Sequence, residues 1–366
     1  MVDGSGEENS GYAVANVTGD GSIHLRGFRQ QVGYDWRRSG ILDESDSAPM
    51  ITREDDMLKP FLILSAALTA APVQAAERQP AAVSFQQRDG SLQIVIDGQP
   101  VAEYVFNDDQ IRRPYFRYLR TLSGVQVTRT HPPLKGQDLD DHATMHPGLW
   151  LAFGDLGGAD FWRNKGRVRH VRFLEQPKGG RGSGSFTAQN AYETEGEAIC
   201  IENCRITVSV RPDGYLLDWS STFRSDQGDL TFGDQEEMGL GVRVATPLAV
   251  VKGGQITDNE GHKNEPQVWG KQADWCQYSG LSGGQRVGVV LMPDPQNFRR
   301  SWFHARDYGL LVANPFGRNA FTKGEKSRVT VEKGDEFRLR FGVLVYGVPK
   351  EASPDIHAVF RSYVGK

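Results

Sequence analysis

The stretch Asp140-Asp141-His142-Ala143-Thr144-Met145-His146-Pro147-Gly148-Leu149-Trp150 gathers two carboxylates, two imidazoles and an indole into eleven positions. Imidazole is the side chain whose unperturbed titration lies nearest neutrality, so proton-transfer chemistry is concentrated here. Pro147 and Gly148 interrupt any helix through both histidines, which places His142 and His146 on a loop. Three roles are open to the pair: acid/base or substrate-binding groups, structural hydrogen bonding, or ligands of a divalent metal. A metal needs a third ligand, which Asp140, Asp141 or His304 can supply. The glutamate placement of the helical zinc-protease signature is missing, which excludes that class.

Three further segments carry titratable groups. In Ser301-Trp302-Phe303-His304-Ala305-Arg306-Asp307-Tyr308-Gly309, strand alternation puts His304, Arg306 and Tyr308 on one face. Asn259-Glu260-Gly261-His262-Lys263-Asn264-Glu265 is a polar loop leading to Val268-Trp269-Gly270. Asp234-Gln235-Glu236-Glu237-Met238 offers Glu237 as a base just before a strand on which Arg243 faces either inward or outward. Tryptophans lie near these segments, and aromatic faces beside hydrogen-bonding groups suit a sugar ligand. The expected site therefore has His142, His146, Glu237 and His304 as catalytic groups. Arg117, Trp150, Trp162, Trp269, Arg306 and Asn314 bind the substrate, and the histidine segments share one hollow. The leading reading is a carbohydrate-active lyase, hydrolase or epimerase. A non-catalytic sugar-binding module and a metal-dependent enzyme are the alternatives; no other cofactor is implied.

The elements that must position these groups are short strands. Hairpin patterns run from Val83-Ser84-Phe85 through Leu92–Ile96 and Val101–Phe106, with Asp89-Gly90 and Asp97-Gly98 as turns. Apolar or alternating runs recur at Leu149–Phe153, Ile206–Val210, Tyr215–Phe223, Leu240–Val244, Leu248–Val251, Val287–Met292, Tyr308–Ala313 and Phe337–Tyr346. The glycine-rich run Gly179–Gly184 has no helix pattern behind it, so it is a hairpin connection rather than a phosphate loop. Only Pro354–Val364 reads as a helix, with Ser353 as its cap and Ile356, Val359, Phe360 and Tyr363 on one face. Many strands and one terminal helix predict an all-β chain, a large antiparallel β-sandwich with a C-terminal helix.

The length of 366 residues allows one large domain or two small ones, and the net charge of −4 excludes the basic face that nucleic-acid binding needs. Met57-Leu58-Lys59-Pro60, an apolar run from Phe61 to Ala71, and Val73-Gln74-Ala75 read as a signal peptide over 57–75. The run is too short for a membrane span. Residues 1–56 then read as a disordered or mis-assigned extension in which Ser22–Phe28 forms one strand, and 76–366 as a single sandwich domain, periplasmic or secreted. In an oxidising compartment, Cys200 and Cys204 can bridge if the chain turns at Glu202-Asn203; Cys276 reads as a buried thiol.

Tyr115-Phe116, Asp141-His142-x-x-x-His146-x-x-Leu149-Trp150, Asp160-Phe161-Trp162, Val268-Trp269-Gly270, Asp274-Trp275, Arg306-Asp307-Tyr308-Gly309-Leu310 and Asn314-Pro315-Phe316-Gly317 together resemble the bacterial PmoA-like domain family. The resemblance spans about Val83 to Tyr346. Members of that family read Asp-His-x-His-His at the first motif; here Met145 replaces a histidine, which weakens a three-histidine metal site. A true methane monooxygenase subunit is excluded, because no span of about 20 apolar residues is present. The resemblance also implies similarity to the aldose-epimerase-like supersandwich, an analogy of fold alone.

Overall fold

The computed structural model describes residues 12–17 and 22–28 as strands, and residues 80–365 in full. The segment 57–75, read above as a signal peptide, lies outside the described residues.

Two antiparallel sheets form the body. The nine-stranded sheet runs in the order Trp302–Arg306, Leu310–Asn314, Met238–Arg243, Leu149–Phe153, Tyr115–Arg117, Gln99–Val105, Ser91–Ile96, Ala82–Arg88, Gly180–Arg181. The eight-stranded sheet runs Gln255–Asp258, Cys276–Ser282, Gln285–Pro293, Glu336–Pro349, Gly214–Arg224, Glu197–Arg211, Ser183–Thr194, Arg167–Lys178. A smaller four-stranded sheet joins Tyr12–Val17, Ser22–Phe28, Arg328–Val331 and Leu230–Phe232. Its Ser22–Phe28 strand has the bounds expected from sequence and pairs in parallel with Arg328–Val331. The chain is thus a large antiparallel β-sandwich.

Strand alternation sorts the side chains. Leu149, Leu151, Phe153, Leu240, Val242, Phe303, Ala305, Leu311 and Ala313 point from the nine-stranded sheet into the main core. There they meet Phe186, Ile206, Leu217, Phe223, Val289, Leu339 and Phe341 of the opposing sheet. The alternate residues of the same strands point to the sheet's other face, and this outer face carries the chemistry. The outer face of the eight-stranded sheet is covered by the C-terminal helix Ile356–Val364, which packs Ile356, Val359, Phe360 and Tyr363 on Leu216, Trp275, Met292, Leu344 and Tyr346.

Some expectations change. The helix is capped by Asp355, whose Oδ1 accepts from the Ala358 amide at 2.8 Å, rather than by Ser353. Leu248–Val251 is not a strand; Pro247 cannot donate to a ladder, and the chain makes the 3-10 turns Thr246–Leu248 and Val250–Lys252. Two short helices, Asn264–Val268 and Arg318–Thr322, are additional. The Cys200–Cys204 bridge does not form. Both thiols are free and buried on one continuous strand, opposite Tyr192 and Ala188, with no turn between them. Among the described residues no helix is long and apolar enough to cross a membrane.

Candidate active site

Register builds the site. His304 pairs with Val312, Gly241 pairs with Val312 on its other side, and Trp150 pairs with Gly241, so these four residues form one row across the outer face. Arg306, Leu310 and Arg243 form the adjacent row. Glycine is required in the centre. A Cβ on Gly241 would stand 2.9 Å from Trp150 Cζ2 and 3.1 Å from Trp162 Cη2, so the two indoles lie across the strand only because position 241 has no side chain.

A ladder of rings rises from this floor. Trp150 packs edge-on to Trp162 with centroids 5.2 Å apart, His146 stacks on Trp150 at 5.2 Å, His142 stacks on His146 at 4.9 Å, and Tyr308 stacks on His142 at 5.8 Å. Trp150 and Trp162 are buried within an apolar cluster that includes Tyr115, Leu310 and Val312. They form the floor and offer no open face for a sugar ring.

The top of the ladder is polar. Asp141 accepts from Arg243 at 2.6 and 2.8 Å, and its Oδ2 lies 2.8 Å from His142 Nδ1. Burial works to raise the Asp141 carboxyl, but the hydrogen bonds from Arg243 and His142 outweigh it and hold the group well below the usual carboxylate range. Asp141 is therefore an anion that only accepts, which assigns the ring proton of neutral His142 to Nδ1 and leaves Nε2 as a base. Arg243 in turn lies over the Tyr308 ring at 4.5 Å. His142 is exposed and adopts φ of 51°, a left-handed conformation uncommon for a non-glycine residue and recurrent at functional sites. Arg129 secures this loop by donating to the carbonyls of Leu139, Asp141 and His146.

On the same outer face, His304 Nδ1 lies 3.2 Å from the Glu236 carbonyl. A carbonyl only accepts, so the proton is on Nδ1 and Nε2 is a bare acceptor. That Nε2 is buried with no hydrogen-bond partner. The Glu236 carboxylate 3.5 Å away cannot donate to it while ionised, and is itself bound by Arg306 at 3.0 Å. Arg306 also grips Glu265 at 2.9 Å and lies over the half-buried Trp269 ring at 5.7 Å. Burial, aided by Arg306, pulls the His304 imidazole down to about 3. Burial, with Arg243 and His142 nearby, also pushes His146 well below its usual value. Both are neutral imidazoles near neutral pH.

The expected residues are thus partly assembled. His142, His146, Trp150 and Trp162 form one stack; His304, Arg306 and Trp269 form a second group on the same face. Trp150 and His304 stand three strand spacings apart on the sheet, roughly 14 Å, and the stack of His142 and His146 on Trp150 does not include His304. Glu237 is not beside His304; it pairs with Arg163 at 2.9 Å, and its neighbour Glu236 takes the position at the histidine. Arg117 is held by Glu103 at 2.9 Å on the Tyr115–Arg117 strand and lines a separate cleft with His131. Asn314 spends its amide on the loops around it, donating to the carbonyls of Gln235 and Glu236 and accepting from the amides of Phe316 and Gly317. It shapes the turn that carries Glu236. Sequence reading missed Glu236 and left the direction of Arg243 open. A lone arginine alternating with Leu240 and Val242 was the available signal for the second. Among the described residues no group of three or more His, Cys, Asp or Glu side chains converges as a metal-ligand set.

Comparison with known proteins places the chain in a family. The model of the "Family of unknown function (DUF6807)" matches residues 91–354, and the chain belongs to that family. This corrects the resemblance to the PmoA-like family, for which the comparisons give no support. No curated protein matches. Among solved structures, the chain is similar to a protein from the human microbiome provisionally assigned as a kojibiose phosphorylase, at 10% identity and a TM-score of 0.33, over 73% of this chain and 29% of that one. It is similar to a galactose mutarotase-like protein from Lactobacillus casei at 9% identity and a TM-score of 0.35, over 72% of this chain and 99% of that one. A GalM/aldose epimerase homologue from C. elegans matches at 9% identity and a TM-score of 0.30, over 73% of this chain and 99% of that one.

Proposed function

We propose that this member of a family of unknown function is a carbohydrate-active enzyme, and that the Asp141–His142 pair is its general base. The observation that carries this reading is the braced dyad: Arg243 fixes Asp141, Asp141 fixes the His142 tautomer, and His142 Nε2 is left free at an exposed position. Orienting an imidazole by a carboxylate is the way a histidine is made into a directed base. A hydroxyl-rich substrate is supported by the second group. His304 Nε2 requires a donor, the buried and unpartnered Trp269 Nε1 requires an acceptor, and Glu236 and Arg306 stand beside them. A sugar hydroxyl can both donate and accept, so a hydroxyl entering this group suits either atom. Proton removal at a ring carbon or from an attacking hydroxyl fits an epimerase, a lyase or a hydrolase alike, with Glu236 in the second group as a hydroxyl-binding carboxylate.

The test is turnover of a saccharide panel by the wild type, His142→Gln and Glu236→Gln. Loss of about 10² to 10⁴ in kcat is expected for His142→Gln. Unchanged turnover in that variant would remove the proposed base, and saccharide binding without turnover by the wild type would leave a binding module. We further propose export to the periplasm or medium, supported by the pattern over 57–75. A mature protein whose N-terminus precedes Met57 would refute that.

A further inference from the structure

A cleft of about 490 Å³ opens between the loop following Gln99–Val105 and the first residues of the Arg167–Lys178 strand. Arg112, Arg113, Arg167 and Arg169 line it, opposed by Asp108 and Asp109. Four guanidiniums face two carboxylates, so the cleft keeps a formal excess of positive charge. Asp108 is spent, since Oδ1 accepts from the amides of Gln110 and Ile111 and Oδ2 from the Tyr115 hydroxyl. Arg112 donates only to neutral oxygens, the carbonyls of Asn164 and Lys165. Arg167 is exposed and has no partner among the described residues, while Arg169 is paired with Glu193.

Arg113 is the telling member. It is 3% exposed, yet its hydrogen bonds go to the carbonyls of Phe161, Trp162 and Met145 and to the Asn164 amide oxygen, all uncharged. Its Nε has no partner. The carboxylate whose charge reaches it, Asp160, is already gripped by Arg163. A buried guanidinium without a carboxylate is costly, and an anion entering the cleft offsets that cost. Arg113 also lies 5.6 Å from the Trp150 ring, so the cleft adjoins the floor of the candidate active site. Phe106 and Ile111 add an apolar wall against which the C–H face of a sugar can rest.

We infer that this cleft is an oxyanion subsite that takes the carboxylate or sulfate group of an acidic saccharide. The inference rests on the saccharide reading above and narrows its substrate class. Arginine forks match carboxylate and sulfate geometry, which a neutral sugar does not exploit.

The experiment is calorimetric titration of the full chain with glucuronate, galactose 6-sulfate, glucose and inorganic sulfate, using the wild type, Arg167→Ala and Arg167→Glu. Arg167 is exposed and unpaired, so both variants fold. The acidic sugars are expected to bind at least about tenfold more tightly than glucose, and Arg167→Ala to weaken them about tenfold, with a larger loss for Arg167→Glu. Their affinity falls as salt rises from about 20 to about 200 mM. Preference for glucuronate over the sulfated sugar identifies a carboxylate subsite, and the reverse a sulfate subsite. Equal binding of glucose, indifference to Arg167, or inorganic sulfate binding as tightly as either sugar would overturn the inference. Failure of the catalytic reading is separable: Arg167-dependent binding with no turnover of any saccharide sinks the enzyme but leaves the subsite, whereas turnover of neutral saccharides unaffected by Arg167→Ala does the opposite.

Discussion

Replacing His304 by glutamine should flatten the acid side of the protein's stability profile. The substituted amide can still donate to the Glu236 carbonyl, as the imidazole Nδ1 does now, but it cannot titrate. In the folded chain the imidazole is 3% exposed and pulled down to about 3; in the unfolded chain it titrates near its usual value of about 6.5. The groups facing it are the Glu236 carboxylate and the Arg306 guanidinium, and their attraction and repulsion oppose each other. Because the folded value is the lower one, the unfolded chain binds the extra proton. The stability this histidine contributes is complete above about pH 6.5 and is lost as the pH falls towards about 3. Over the 1.5 units from about pH 6.5 to 5 that loss is about 2 kcal/mol. For a folded body of this size it corresponds to a fall in Tm of about 3 °C. The assay is thermal unfolding of wild type and His304→Gln at pH 8 and pH 5. His131, lowered to about 4, and His146 titrate in both proteins, so their contributions cancel in the difference. The wild type should lose about 2 kcal/mol more than the variant between the two pH values. Parallel profiles would mean that burial does not lower the His304 imidazole.

Other outcomes follow from the same geometry. Gly241→Ala forces a methyl to within 2.9 Å of Trp150, so a loss of about 1 to 3 kcal/mol is expected, with a changed near-UV circular dichroism from the displaced indoles; denaturant unfolding measures it. Asp141→Asn leaves the buried Arg243 without its carboxylate; because Asp141 is partly exposed, a cost of about 1 to 2 kcal/mol is expected, and it should abolish turnover more completely than it lowers Tm. Glu202, buried between the sheets where Ser221 and Asn190 donate to it, is pushed up by burial, so its folded value exceeds the unfolded one and stability is lost as pH rises from about 4.5 through that raised value. Glu202→Gln should therefore raise Tm at pH 7 and have a smaller effect at pH 4; an equal change at both would refute the raised carboxyl.

The fold was readable because its strands advertise themselves. Leu149–Phe153, Tyr215–Phe223 and Phe337–Tyr346 carry enough apolar and β-branched residues to be strands in any context. The Arg167–Lys178 strand did not, because it is an edge strand whose residues are mostly exposed, with charges scattered among its apolar residues, so no apolar period marks it. Site residues near one another in sequence were legible: Asp141, His142, His146 and Trp150 do stack as a unit. What sequence could not show is burial and register. Trp150 and Trp162 became floor because Gly241 lies under them, and Glu236 rather than Glu237 reached His304 because Asn314 ties the turn through the carbonyls of Gln235 and Glu236. Such contacts span dozens of residues, and no local pattern encodes them.

The central claim, that Asp141 makes His142 a base facing a saccharide, is tested most directly by nitrogen-15 magnetic resonance of histidine-labelled protein. The expected spectrum of the neutral His142 ring has its proton on Nδ1 and an unprotonated Nε2 whose resonance moves when a saccharide substrate is added. A proton resident on Nε2, or an Nε2 resonance indifferent to a saccharide that the protein turns over, would contradict it.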